Sequence, residues 1–206
     1  MFQTIKQSVV SEITEKKSKF ICHVYHVETV EEAEEILRNL RKKYHDARHN
    51  CYAYKIIKDG VMRSSDDGEP SGTAGVPILN ILNGRNLSNI LVVVTRYFGG
   101  ILLGTGGLVR AYSSATADAL ECANILFQEL GLEAKFFVEY KDLEELKYHV
   151  KNRNISIVDV NYGEKIEIIV EGTKDDVEKL MNEKISDRII LQDFEIIGEK
   201  YIYFDE

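Results

Sequence analysis

The stretch VVVTRYFGGILLGTGGLVRAY, residues 92–112, constrains the fold more than any other part of the chain. An apolar run with no polar alternation, starting at Asn89-Ile90, ends in Thr95-Arg96-Tyr97. That is how a strand buried on both faces reads. Five glycines then fall within nine residues: Gly99, Gly100, Gly104, Gly106 and Gly107. Directly behind them, LVRAYSSATADALECA (108–123) repeats Ala111, Ala115, Ala119 and Ala123 every four positions. Such a stripe lets a helix backbone lie close to a sheet. A buried strand, a glycine-rich corner and a closely packed helix therefore follow one another without a spacer.

The remainder of the first half fits around this unit. SKFICHVYHV (18–27) and CYAYKII (51–57) have the aromatic and β-branched composition of strands. Between them, Thr29 and Glu32 form a capping box, and Val30, Ala33, Ile36, Leu37 and Leu40 make one helical stripe running to Tyr44. The acids of this helix come first and its bases (Arg38, Arg41, Lys42, Lys43) come last, which matches the helix macrodipole and reads most simply as a solvated face. RSSDDGEPSGTAGVP (63–77) holds both prolines of the chain and reads as a long structured loop, with a short helix over 76–82 after it.

The second half has a simpler grammar. EAKFFVEY (133–140) is a strand, 142–150 a helix opened by Asp142, and 155–172 a hairpin turning near Tyr162-Gly163. Thr173 and Asp176 cap a helix through Lys184, and RIILQDFEII (188–197) is a last strand. The order β-α-β-β-α-β is that of a ferredoxin-like split βαβ unit. The expected fold is thus α+β with two domains, 1–130 and 131–206. Charge divides the same way: 15 Lys+Arg face 15 Asp+Glu up to Gly131, and 11 face 19 from Leu132 onward, which carries the whole net charge of -8. An acidic half is a poor match for a phosphate backbone, so duplex DNA is not an expected partner. No apolar run approaches the roughly 18 residues that span a bilayer, and the N-terminus has no apolar signal-peptide core. Three widely spaced cysteines (Cys22, Cys51, Cys122) suggest a reducing compartment, and the cytoplasm is the expected location.

Two readings of the glycine loop stay open. Its backbone N–H groups, with a helix start behind them and Arg96 and Arg110 beside them, could cradle an anion. Equally, the glycines could supply positive φ and close packing. Neither of two specific phosphate motifs fits, because Gly106-Gly107 runs into Leu108 rather than Lys-Ser/Thr, and Val109 stands where G-x-G-x-x-G needs its last glycine. In HDARHNCYAY, the residues His45, Asp46 and His49 lack a second ligand pair at metal spacing, and Cys51 reads as a small core residue. No metal or cofactor is implied. Asp66, Asp67 and Ser71 suit hydrogen bonds to their own loop, yet a loop this long in a compact domain is usually functional.

HNCYAY, SSDDGEPSGTAG and RYFGGILLGTGGLVRAY (Arg96 to Tyr112) together resemble the Impact/YigZ family over about residues 15–125, and the second half resembles the small C-terminal domain of bacterial YigZ-type members. The resemblance implies a first domain like domain four of elongation factor G, with several strands backed by two helices, and a second like domain five. That pair points to the ribosome or its RNA. Eukaryotic Impact, a translational regulator, carries an additional RWD domain that this sequence does not contain, so its stress-kinase role is not implied. No catalytic residues come with the family. What the resemblance carries over is a motif surface: Arg63, Ser64, Ser65, Asp66, Asp67, Glu69, Ser71, Arg96, Tyr97, Phe98, Gly99, Gly100, Gly104, Gly106, Gly107 and Arg110.

Two functions follow as expectations. The first is a non-enzymatic, translation-associated regulator that binds the ribosome, structured RNA or a translation-related protein. Here Arg96 and Arg110 would contact phosphate or carboxylate, and Tyr97 and Phe98 would offer a stacking surface. The second is an enzyme acting on a phosphorylated or acidic small molecule, with Arg96 and the glycines holding the anion, Asp66 or Asp67 as general base, and Ser71 or Thr105 positioning it. Convergence of the two loops around a concave pocket would favour the enzyme, and an open face would favour the binder.

Overall fold

A computed structural model describes residues 1–153, 155–182 and 193–204. In chain order its elements are β1 (Phe2–Ile5), β2 (Val9–Glu15), β3 (Ser18–His26), α1 (Val30–Lys43), β4 (His49–Ile56), β5 (Val61–Ser65), α2 (Gly75–Gly84), β6 (Ile90–Tyr97), α3 (Thr105–Glu121), β7 (Ile125–Val138), α4 (Leu143–Lys151), β8 (Ile155–Tyr162), β9 (Ile166–Thr173), α5 (Lys174–Asn182) and β10 (Phe194–Phe204). They form an α+β protein of two compact units, residues 2–127 and 128–204, and the division falls inside β7.

The first unit is built on an antiparallel sheet in the order β2-β3-β6-β4-β5. Strand β6 is its centre and is buried from Ile90 to Arg96, as an uninterrupted apolar run requires. Alternate residues serve opposite faces. Ile90, Val92 and Val94 join Phe20, Cys22, Val24 and Cys51 beneath α2 and α3, whereas Leu91 and Val93 join Tyr52, Tyr54 and Ile56 beneath α1. The alanine stripe of α3 is buried at Ala111, Ala115 and Ala119 and so brings that helix down onto the sheet. Two helices back one face, as the resemblance implies, and α1 adds a third layer on the other. Its N-terminus is capped as expected: Thr29 Oγ1 accepts from the Glu32 N–H (3.2 Å), and Glu32 Oε2 accepts from the Glu28 N–H (2.9 Å).

Three strands lie in segments not expected to be strands. β1 and β2 occupy the N-terminal segment, and β5 begins the long loop at Val61. Strands β2 and β5 are the edges of the sheet, with half-buried, polar-rich sequences that never show a fully apolar face. Also, α3 starts at Thr105 instead of 108, so three of the motif glycines lie in or at the cap of the helix.

In the second unit β7 and β9 are central, β8 and β10 flank them, and α4 and α5 bury one face through Leu146, Val150, Val177 and Leu180. This is the split βαβ arrangement. β7 starts at Ile125, earlier than the expected 133. Of the last expected strand, 188–192 lie outside the described residues; from Phe194 it runs on to Phe204. Thr173 caps α5 by accepting from the Asp176 N–H at 3.2 Å. Among the described residues no helix is long and apolar enough to cross a membrane.

Candidate functional site

Strand register gathers the motifs at one end of the first sheet. Lys19 pairs with Tyr97, His49 with Arg96 and Tyr52 with Ser65, so the β2–β3 turn, the start of β4 and the ends of β5 and β6 are neighbours. The Tyr97 hydroxyl donates to Asp46 Oδ1 at 2.8 Å and thereby brings the segment after α1 to the same end. A Cβ on Gly75 would lie 2.6 Å from the Ser65 nitrogen, so α2 starts there too. A cleft of about 250 Å³ lined by Glu15, Lys16, Gly107, Arg110 and Ser114 places the first turns of α3 beside the β2–β3 turn.

The acidic loop and the glycine corner meet through a buried ion pair. Arg96 Nη1 donates to Glu69 Oε1 at 2.7 Å, with the side chains only 7% and 3% exposed. The same Glu69 oxygen accepts from the Tyr112 hydroxyl of α3 at 2.8 Å. Arg96 also lies between two aromatic rings, 5.5 Å from the centroid of Phe20 and 5.6 Å from that of Phe98. Its Nη2 is 3.4 Å from Ser18 Oγ, which accepts in turn from the Gly99 N–H at 3.2 Å, whereas its Nε is buried without an acceptor. Arg96, expected to reach outward to an anion, is therefore turned inward. The reason is strand parity: it shares a face with Val92 and Val94, which is the face covered by α2 and α3.

The aspartates are equally committed. Asp66 Oδ2 accepts from the Gly72 N–H (2.8 Å), and its Oδ1 from Ala74 (2.9 Å) and Gly75 (2.8 Å), closing the loop and capping α2. Burial opposes the Asp66 charge, yet the three N–H donors outweigh it and hold the carboxyl below its ordinary range. Asp67 Oδ2 accepts from the Asn50 N–H at 2.7 Å, and its Oδ1 is 3.1 Å from Arg41 Nη2. Ser65 Oγ accepts from the Asp67 N–H at 3.2 Å. Arg63 stands apart from this cluster, on the α1 face, where it donates to Glu34 at 3.1 Å. Ser71 is exposed at the loop tip.

Gly99 and Gly100 do different work. A Cβ on Gly99 would lie 2.0 Å from the Lys17 carbonyl carbon and oxygen, so only glycine lets the corner sit on the β2–β3 turn. Gly100 meets nothing within 4 Å but has φ +83°, which side chains disfavour. Gly104 is the N-cap of α3, and Gly106 and Gly107 fill its first turn. Arg110 Nη1 lies 3.6 Å from where a Gly106 Cβ would sit, so the exposed guanidinium folds back over that turn. What the corner shows to solvent is Phe98 (46% exposed), Ile101 and, at 84%, Leu102.

The His-Asp-His segment scatters its side chains: Asp46 to Tyr97, and His49 Nδ1 to the Asp67 carbonyl at 2.9 Å. Among the described residues no three His, Cys, Asp or Glu side chains converge as metal ligands. Cys51 Sγ lies 2.9 Å from the Asp66 carbonyl oxygen and 3.3 Å from the Tyr112 hydroxyl. Burial, above all, pushes the thiol and that hydroxyl up, so both stay protonated. The loops thus converge within hydrogen-bond reach, but on a sealed polar core and not around an open pocket.

The Impact N-terminal domain model matches residues 16–120, more than half of the chain, and a domain of unknown function, DUF1949, matches 136–186. The chain belongs to the IMPACT family. The IMPACT family member YvyE of Bacillus subtilis is 39% identical over 165 residues, 80% of this chain and 76% of YvyE. A Haemophilus influenzae family member is 36% identical over 200 residues, 93% and 96% of the two chains. A crystal structure of a hypothetical protein superposes with a TM-score of 0.61 at 32% identity, covering 87% of this chain and 89% of that one. In IMPACT terms, the matched first domain contains the whole loop end, from the β2–β3 turn to Arg110. Sequence reasoning missed three of its partners: Ser18, Cys51 as a hydrogen-bonding group, and Tyr112. The signal for Tyr112 was present, since it is next to Ala111 and one turn before Ala115 and Thr116 on the buried side of α3.

Proposed function

We propose that this chain is a translation-associated regulator that works by binding, with the loop end of its first domain as the contact surface. The observation that supports this most is the condition of the motif acids. Asp66, Asp67 and Glu69 each already accept hydrogen bonds from the fold. A general base needs a free lone pair directed at a substrate proton, and an aspartate held ionised by three N–H groups is a weak base. The 250 Å³ cleft is lined by none of the three acids. What remains outward is Phe98, Ile101, Leu102 and Arg110, on a corner that buried bonds hold rigid. A surface set in place before it meets its partner binds without a large ordering cost.

The resemblance of the family's two domains to domains four and five of elongation factor G supports the translation machinery as the setting. The acidic second domain fits a protein that avoids indiscriminate nucleic-acid contact. The test is co-sedimentation with bacterial ribosomes at moderate salt, comparing wild type with Leu102→Asp and Arg110→Glu variants of unchanged Tm. Wild type pellets with ribosomes and both variants stay in the supernatant. Failure of wild type to associate at any salt, or variants that pellet equally well, would overturn the reading. A tight hit among nucleotides and sugar phosphates in a thermal-shift screen would restore the enzyme.

A further inference from the structure

The first domain is neutral by count but divided in space. At the loop end, most acids are engaged: Asp66 by backbone N–H groups, Asp67 by Arg41, Glu69 by Arg96, Asp46 by Tyr97, and Glu12 by Lys19 at 2.6 Å, while exposed Glu15 lines the cleft with Lys16 and Arg110. The cations are not matched in the same way. Lys16 and Lys17 of the β2–β3 turn, Lys42 of α1, Arg48 and Arg110 are exposed, and none has an acidic partner among the described residues. Lys43, also exposed, lies 5.0 Å above the Tyr44 ring. The opposite end is acidic. The Val30 N–H donates to Asp59 Oδ2 at 3.4 Å, which sets the start of α1, with Glu28, Glu31, Glu32 and Glu35, beside the β4–β5 turn.

The cations flank one aromatic residue. Tyr97, before Phe98, is bonded to Asp46, two residues from Arg48; Gly99, after it, lies against the backbone of Lys17. Phe98 therefore stands between the Lys16-Lys17 side and the α1-Arg48 side, with nearly half of its surface in solvent. Unengaged cations on both sides of an exposed ring match the two repeating parts of a single-stranded nucleic acid, phosphates and unstacked base faces.

We infer that the loop end binds single-stranded RNA, its phosphates on Lys16, Lys17, Lys42, Lys43, Arg48 and Arg110 and a base stacked on Phe98. The inference rests on the binding reading above and narrows its partner. Only Arg110 and Phe98 come from the family motifs; the motif acids are engaged by Arg96, Arg41 and backbone N–H groups, which leaves the exposed cations of this end in excess. The contribution of α1 also reverses the simplest reading of its charge run, since the bases ending that helix stand at the loop end, where Arg41 meets Asp67 of the acidic loop.

The experiment is fluorescence anisotropy of a labelled single-stranded RNA with the full chain, titrated at about 50 to 200 mM salt. Wild type binds, and log K falls linearly with log salt. The pairs Lys16→Glu/Arg110→Glu and Lys42→Glu/Arg48→Glu each weaken binding at least tenfold at the lowest salt. The salt slope becomes shallower by about 0.7 for each cation removed. Phe98→Ala weakens binding at least fivefold with the slope unchanged. The pair Lys55→Glu/Lys58→Glu, at the far end, serves as the control and changes affinity less than twofold. No binding at the lowest salt, or equal loss from the far-end pair, overturns the inference. So does displacement by poly-glutamate at equal charge together with an inert Phe98→Ala, which would assign the surface to an acidic protein. Ribosome association that persists when RNA binding is absent removes the RNA and leaves the binding reading standing; loss of both removes both.

Discussion

Arg96–Glu69 in the first domain and Lys135–Glu167 in the second are ion pairs joining an alkaline residue to a glutamate, yet their surroundings differ. The first is 2.7 Å long with side chains 7% and 3% exposed; the second is 3.3 Å long with 24% and 28%. The Lys135 pair links neighbouring strands on a face the helices do not cover, one rung of a solvated sheet. The Arg96 pair ties two loops, a strand and a helix together inside the domain, with Tyr112 and Ser18 completing it. The difference teaches where the family's polar motif has gone. In the first domain polar residues fix the shape of a surface from within, whereas in the second they only solvate one.

The largest expected effect separates the two pairs outright. Glu69→Ala leaves the Arg96 charge buried without its partner and should cost about 3–5 kcal/mol, read by urea unfolding. Next comes the close approach at the corner. Gly99→Ala drives a Cβ into the Lys17 backbone and should cost about 3 kcal/mol, whereas Gly100→Ala, strained only through its positive φ, should cost about 1 kcal/mol. An equal loss at the two glycines would mean that the corner does not rest on the β2–β3 turn.

Asp66→Ala removes the acceptor of three N–H groups and should cost about 1–2 kcal/mol at neutral pH. Its pH dependence has a definite sign. Because the folded carboxyl titrates below its unfolded value of about 3.9, the stabilisation is full above that value. It is lost as pH falls through the folded value, where the unfolded chain binds the proton more readily. Wild type and Asp66→Ala should therefore converge in stability in acid and separate above about pH 4. Smallest of all, Glu167→Ala on the solvated face of the second domain should change stability by less than about 1 kcal/mol. A larger cost there would erase the contrast between the domains.

How much of this was legible depends on burial. Strand β6 and the alanine stripe of α3 announce themselves because both are enclosed, and enclosed segments have few acceptable residues. The caps at Thr29 and Thr173 were readable because capping is local chemistry. Strands β2 and β5 were not, since edge strands with one half-exposed face tolerate the polar sequences VVSEITE and VMRSS. At the site, the sequence grouped the acidic loop with the glycine corner but read Arg96 as reaching outward, whereas it is turned inward onto Glu69. Arg96 lies two positions beyond Val94 and so belongs to the same covered face, a parity visible in the sequence once β6 is known to be central. The pairing of Glu69 with Arg96 across 27 positions, by contrast, depends on two loops meeting in space, and nothing local encodes it.

The central claim is that the loop end of the first domain, held from within by the Glu69–Arg96 pair, is the surface that meets the translation machinery. Hydrogen–deuterium exchange of the intact chain with and without ribosomes tests this most directly. The account predicts slowed exchange in the β2–β3 turn, in 42–48 and in 98–110, with the second domain's solvated sheet face unchanged. Protection confined to the second domain, with those three segments exchanging as in the free chain, would contradict it.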